Sequence, residues 1–121
     1  MDKMKTHKDL DVWNKSVSLV TLVYEVTKSF PNDEIYGLTN QIRRSAVSIP
    51  SNIAEGSARQ GNKEFAQFLY ISLGSLSELE TQLIIANNLK YIPTSVSEPI
   101  MNDLKDIRKM LIGLIKYVKN K

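Results

Sequence analysis

Cysteine is absent from this 121-residue chain, which removes disulfides, thiolate metal sites and thiol nucleophiles together. Zero cysteine suits a reducing cytosol, and a cytoplasmic location is expected. Histidine is almost absent too, with His7 alone near the start. A di-iron site in a helical bundle needs Glu-x-x-His pairs on two helices, and an activated serine needs a base beside it. The sequence therefore predicts no metal, no cofactor, no catalytic residue and no enzymatic activity. Period-2 alternation is also missing, so no glycine-rich phosphate loop follows a strand. No apolar run approaches the ~20 residues that span a bilayer. The opening MDKMKTHKDLDVW mixes charges of both signs where a secretory signal would be apolar. A soluble protein is expected.

What is present is an ordinary folding composition, 42% hydrophobic and 24% charged, too apolar for disorder. One domain over residues 1–121 follows, with 1–7 read as a mobile end. Four amphipathic segments are separated by three breaker clusters. The first runs from about Lys8 to Ser29, with Trp13, Val17, Val20 and Tyr24 on one face and Val12, Leu19, Val23 and Val26 beside them; Pro31 stops it. The second starts near Tyr36 or Gly37 and ends between Gly56 and Gly61, where glycine permits positive φ. The third, from about Lys63 to Asn88, has a 4-3 seam at Phe65, Leu69, Ser72, Leu76, Leu79, Leu83 and Ala86. Phe68, Ile71, Leu73, Ile84 and Ile85 widen its apolar face, which predicts burial on more than one side.

The fourth segment is capped either by Ser95 with Glu98 or by Ser97 with Pro99 in the first turn, and its seam is Ile100, Leu104, Ile107, Leu111, Leu114 and Val118. Seams of this spacing match the ~20° crossing of bundles, and short loops make sequential helices antiparallel. The predicted fold is all-α, an up-down-up-down four-helix bundle.

The second segment carries Pro50 in its interior, which costs a helix ~3 kcal/mol unless a bend is wanted. At ~100° per residue, Gln41, Arg44, Ser48, Asn52, Glu55 and Arg59 share one polar arc, while Leu38, Ile42, Ser45, Ile49 and Ile53 share the apolar arc beside it. Arg44, Asn52, Glu55 and Arg59 are read as a hydrogen-bonded network bracing the bend, with Glu55 and Arg59 at ion-pair spacing. Arg43, ~100° away, points elsewhere and is free for an anion.

Net charge is +3, unevenly spread. Cations outnumber anions four to one over 35–63 and six to three over 93–121, but fall short five to six over 1–34 and one to three over 64–92. Lys105, Arg108, Lys109, Lys116 and Lys119 fall within ~100° of arc on the fourth helix, with Asp103 and Asp106 outside it. Such a stripe is the electrostatic footprint of a phosphate-binding protein, although a solvated face has the same pattern. Gly74-Ser75-Leu76-Ser77 offers a close-approach patch, within the monomer or toward another subunit.

Leu10-Asp11-Val12-Trp13, the run Ser48-Ile49-Pro50-Ser51-Asn52-Ile53-Ala54-Glu55-Gly56, and the segment from Gly74 to Leu83 together resemble proteins encoded in intervening sequences of bacterial 23S ribosomal RNA genes. The likeness extends from Leu10 to about Tyr117. It implies a left-handed four-helix bundle that assembles into a ring-like homopentamer with basic surfaces for nucleic acid. The chain is also similar to accessory variability proteins of diversity-generating retroelements, which bind RNA and a reverse transcriptase. The resulting expectation is a non-enzymatic oligomer that binds RNA or a ribonucleoprotein, with Arg43, Lys105, Arg108, Lys109, Lys116 and Lys119 as phosphate contacts. The alternative is an interaction scaffold docking a protein such as a reverse transcriptase; a regulatory element carried by mobile DNA is a third class.

Overall fold

A computed structural model describes residues 6–121, and four helices account for most of them: α1 (Asp11–Thr27), α2 (Leu38–Ser57), α3 (Asn62–Asn88) and α4 (Thr94–Lys119). Short 3-10 turns at His7–Asp9 and Asn32–Glu34 precede α1 and α2. No strand occurs among the described residues, so the fold is the all-α bundle that the periodicity predicts. Residues 1–5 of the expected mobile end lie outside the described residues. His7 does not belong to such an end: its ring packs edge-on against Trp13, 4.9 Å between centroids.

Partners across the helices fix their directions. Ser45 meets Gln82 and Ser48 meets Ser75, so numbers rise along α2 as they fall along α3. Arg108 meets Glu80 while Lys119 meets Tyr70, giving the same antiparallel relation between α3 and α4. The core consists of the predicted stripes: Ile42, Ile49 and Ile53 of α2, Leu69, Leu76, Leu79 and Leu83 of α3, and Ile100, Leu104, Ile107 and Leu111 of α4 are all essentially inaccessible. In α1 the face that turns inward is Val12, Leu19 and Val23, with Ser16 and Thr27 alongside them. Trp13 and Val20 only flank the core, and Val17 and Tyr24 are exposed. In α4 Ile115 is buried, whereas Leu114, expected in the seam, is only partly so. Of the extra apolar residues of α3, Leu73 packs against the core and Phe68 is partly buried, whereas Ile71, Ile84 and Ile85 remain about half exposed.

The helix ends depart from the predicted caps in ways that side-chain geometry explains. Gly37 at the N-terminus of α2 supplies no capping side chain. Glu34 reaches over instead, its Oε1 accepting from the Leu38 amide at 3.0 Å and its Oε2 from the Tyr91 hydroxyl at 2.8 Å. A Cβ on Gly37 would sit 2.7 Å from that Oε1, so glycine makes the room. The Leu38 amide first, and then the Tyr91 hydroxyl, hold the Glu34 carboxyl below the usual carboxylate range. The same hydrogen bond pushes the Tyr91 phenol upward. Neither predicted cap of α4 forms: Pro93 precedes the helix without a side-chain bond, and Pro99 lies inside it. Ser97 instead accepts from the Asn87 side chain at 3.4 Å.

No glycine among the described residues has positive φ, contrary to the expectation at Gly56 and Gly61; the residue that does is Lys90, at φ 67°. It closes α3 in a Schellman arrangement, with the Tyr91 amide donating to the Ala86 carbonyl and the Lys90 amide to that of Asn87. A side chain in this region is disfavoured where glycine is not. Lys90→Gly is therefore expected to stabilise the fold by about 1 kcal/mol, read as a rise of about 3–5 °C in thermal midpoint by circular dichroism.

Candidate nucleic-acid interface

The α4 stripe forms as the spacing predicts, and its five cations then divide by their surroundings. Lys105, Lys109 and Lys116 are exposed, and none has a hydrogen bond or ion pair among the described residues. They project from one side of a helix rising 1.5 Å per residue, so their attachment points are ~6 Å and ~10 Å apart. Arg108 sits deeper, donating to Glu80 at 3.0 Å and to Ser77 at 3.3 Å, and ties α4 to α3. Lys119 donates to the Tyr70 hydroxyl at 3.3 Å. Asp103 is off the stripe and meets Lys15 of α1 at 3.6 Å. Asp106 is exposed and borders the band ~60° around the helix from Lys109, so this carboxylate flanks the three lysines rather than standing among them.

Arg43 is not free for an anion. Its Nε donates to Thr27 Oγ1 at 2.9 Å, and its guanidinium lies 4.6 Å from the Tyr24 ring centroid. Thr27 in turn donates to the Val23 carbonyl at 2.8 Å. The side chain that points away from the polar arc of α2 is pointing at α1, and it joins the two helices. Arg43 therefore leaves the phosphate-contacting set.

The predicted network at the bend also resolves differently. Of Arg44, Asn52, Glu55 and Arg59, only Asn52 takes part, donating to the Ser48 carbonyl at 2.8 Å and its hydroxyl at 2.9 Å. The remaining members bridge α2 to α3. Ser48 and Ser75 share a hydroxyl contact at 2.8 Å, Ser45 donates to Gln82 at 2.7 Å, and Ser72 donates to the Ile49 carbonyl at 2.8 Å. Glu55 and Arg59 form a separate ion pair at 2.7 Å, as their spacing predicts. Arg59 also lies 4.9 Å from the Phe68 ring centroid. Arg44 is exposed and edges an open groove with Gln41, Ser48 and Glu78. A largely buried ladder of serine, asparagine and glutamine therefore replaces the charged network, which fits the high cost of burying charge. The readable signal is Ser72, Ser75 and Gln82 standing 3 and 7 apart within an apolar helix.

No group of three or more histidine, cysteine, aspartate or glutamate side chains suited to a metal occurs among the described residues. No helix there is long and apolar enough to cross a membrane.

The sequence profile of 23S rRNA-intervening sequence proteins matches residues 8–113. The chain belongs to that family. This intervening-sequence protein is similar to a crystal structure from Bacteroides thetaiotaomicron VPI-5482, described as a protein with unknown function from the S23 ribosomal protein family. The two share 32% identity and superpose with a TM-score of 0.80 over 87% of this chain and 95% of the other. No curated protein matches the chain.

In this intervening-sequence protein the Ser48–Gly56 run is a packing device. α2 continues unbroken through the buried Pro50, which lacks the amide that the Ala46 carbonyl would otherwise accept. Around that point Ser48, Asn52 and the Ile49 carbonyl bond to one another or to α3. Gly56 packs against Phe65 and Phe68. The buried residues of this motif are committed to the packing of α2 against α3.

Proposed function

We propose that this protein is a non-enzymatic, cytoplasmic RNA-binding bundle that meets phosphate through Lys105, Lys109 and Lys116 and works as a homo-oligomer, a pentamer being the number the family resemblance implies. The observation that carries the reading is the uncompensated stripe. Three ammonium groups on one helix face, with no partner among the described residues, retain their full attraction for a polyanion. Arg108 and Lys119 border the stripe but are partly engaged by Glu80 and Tyr70, so they contribute less.

Self-association is supported by α3. Ile71, Ile85 and Leu89 fall within ~40° of arc on its outer side and are each about half exposed, while a Cβ on the intervening Gly74 would meet nothing within 4 Å. An aligned apolar row of this kind on a monomer favours a protein partner, and a second copy of the chain is always at hand. Several copies would repeat the modest stripe of one chain and raise affinity through multivalency. The same row also supports the scaffold reading, in which a protein such as a reverse transcriptase docks and RNA is secondary.

Filter binding to a structured RNA, with sedimentation of the free protein in the same buffers, separates these readings. Three phosphate contacts give a salt slope near −2 to −3 in log–log form, so affinity falls roughly 20- to 40-fold between ~50 and ~200 mM salt. Absent or salt-insensitive binding refutes the RNA reading.

A further inference from the structure

At the end of the bundle where α3 begins and α4 finishes, the fold forms an open cavity of about 400 Å³, within the ~300–1,000 Å³ typical of small-ligand sites. Its wall brings together residues far apart in sequence. Lys63 comes from the first turn of α3, while Lys119 and Lys121 lie at the close of α4; Tyr70, Gln67 and Val118 line it too, with Asn62 and Ala66 beside them. No acidic side chain lines it. Three lysines therefore converge on one recess with no aspartate or glutamate to neutralise them.

Tyr70 is 49% exposed. The Lys119 ammonium lies 3.3 Å from its hydroxyl oxygen but 5.5 Å from its ring centroid. It therefore stands off the hydroxyl end of the ring rather than above a face, and the faces stay clear of it. Lys121 lies 5.3 Å from the centroid of the neighbouring Tyr117 ring, which holds that charge at the rim. Gln67 adds an amide with both donor and acceptor. A flat ring, a bifunctional amide and clustered ammonium groups suit a planar heterocycle carrying phosphate.

We propose that this cavity receives an unpaired RNA nucleotide, its base stacked on Tyr70 and its flanking phosphates met by Lys63, Lys119 and Lys121. The proposal rests on the RNA-binding reading above and adds to it which form of RNA is preferred. Lys119 is one turn of α4 beyond Lys116, ~4.5 Å along the axis, so the cavity continues the exposed stripe. A strand lying along Lys105, Lys109 and Lys116 reaches it without a break. In a duplex the base faces are stacked internally and cannot meet a tyrosine ring, whereas single-stranded segments expose them.

The test is fluorescence anisotropy with a 12-nucleotide single-stranded RNA and a duplex of the same sequence, run on the wild type and three variants. The wild type is expected to prefer the single strand. Tyr70→Ala should weaken single-strand binding roughly 5- to 150-fold, the range for losing one stacked base, and leave duplex binding unchanged. Tyr70→Phe, which keeps the ring, should retain the preference. Lys63→Gln combined with Lys121→Gln should flatten the single-strand salt slope by about 1.4, or ~0.7 for each phosphate no longer neutralised. Duplex binding reports that each variant is folded. If Tyr70→Ala leaves single-strand affinity unchanged while both RNAs still bind, the stacking site is wrong and the RNA reading stands. If the wild type binds neither RNA, both fall.

Discussion

Replacing Lys105, Lys109 and Lys116 together by glutamate is expected to eliminate measurable RNA binding while the thermal midpoint and the oligomeric state stay as in the wild type. At ~0.1 M salt each phosphate contact contributes close to a factor of about eight through counterion release, so three contacts account for roughly 500-fold. Charge reversal goes further than removal, because three new carboxylates then face the phosphates. Stability should be spared, since none of the three side chains has a partner among the described residues to lose and exposed substitutions usually shift stability by less than ~0.5 kcal/mol. The comparison is Arg108→Glu, which would place a carboxylate against Glu80 where a 3.0 Å ion pair now joins α3 and α4. That change should lower stability as well as affinity, whereas the triple variant separates the two. Filter binding paired with a melting curve and sedimentation decides the matter. Retained affinity in the folded triple variant would move the RNA surface elsewhere.

The difference between Arg108 and its neighbours marks how far the sequence can be read. Helical periodicity places residues around one axis, and it locates the α4 stripe and the buried rows of α2, α3 and α4, because both are properties of a single helix. It cannot say which other helix a side chain will meet. Periodicity sends Arg43 to solvent because it leaves the polar arc of α2, but Thr27 and Tyr24 of α1 occupy that direction. Arg44 and Glu55 share an arc with Asn52, yet the arc is wide enough to hold both half-buried and exposed positions. Of these, only Asn52 bonds to Ser48, which in turn meets Ser75 of α3. The cavity at the bundle end is illegible for the same reason, since Lys63 and Lys121 are 58 positions apart and come together only through the pairing of α3 with α4. The α4 cap misleads for a local reason: Ser97 is turned toward Asn87 across the α3–α4 connection, and its hydroxyl is used there.

Gly56 is a residue whose importance is visible in the sequence while its cause is not. The sequence pattern marks it as a helix stop with freedom of φ, yet it is buried inside α2 without a positive φ. A Cβ placed there would fall 2.7 Å from Phe68 Cβ, 3.0 Å from Phe65 Cδ1 and 3.2 Å from the Phe65 carbonyl oxygen. The first and third of these atoms adjoin or belong to the backbone of α3, so no rotamer change relieves the clash and the two helices must separate. Separation strains the ladder that runs up the same interface through Ser72, Ser75 and Gln82. Overpacking of this kind costs about 1–3 kcal/mol and at times more, opposed by the ~1 kcal/mol that a helix gains when glycine gives way to alanine. Gly56→Ala should thus be mildly destabilising, and Gly56→Val, with two further carbons and a β-branch that disfavours helix, should lose at least ~3 kcal/mol, or about 10 °C in thermal midpoint. Gly113→Ala is the internal control. It lies within α4 with nothing inside 4 Å of the added carbon, so the propensity gain is unopposed and stability should rise by about 1 kcal/mol. Opposite signs for the two alanine variants would locate the tightest approach of α2 and α3 at Gly56; a stabilised Gly56→Ala would show that the helices there are free to part.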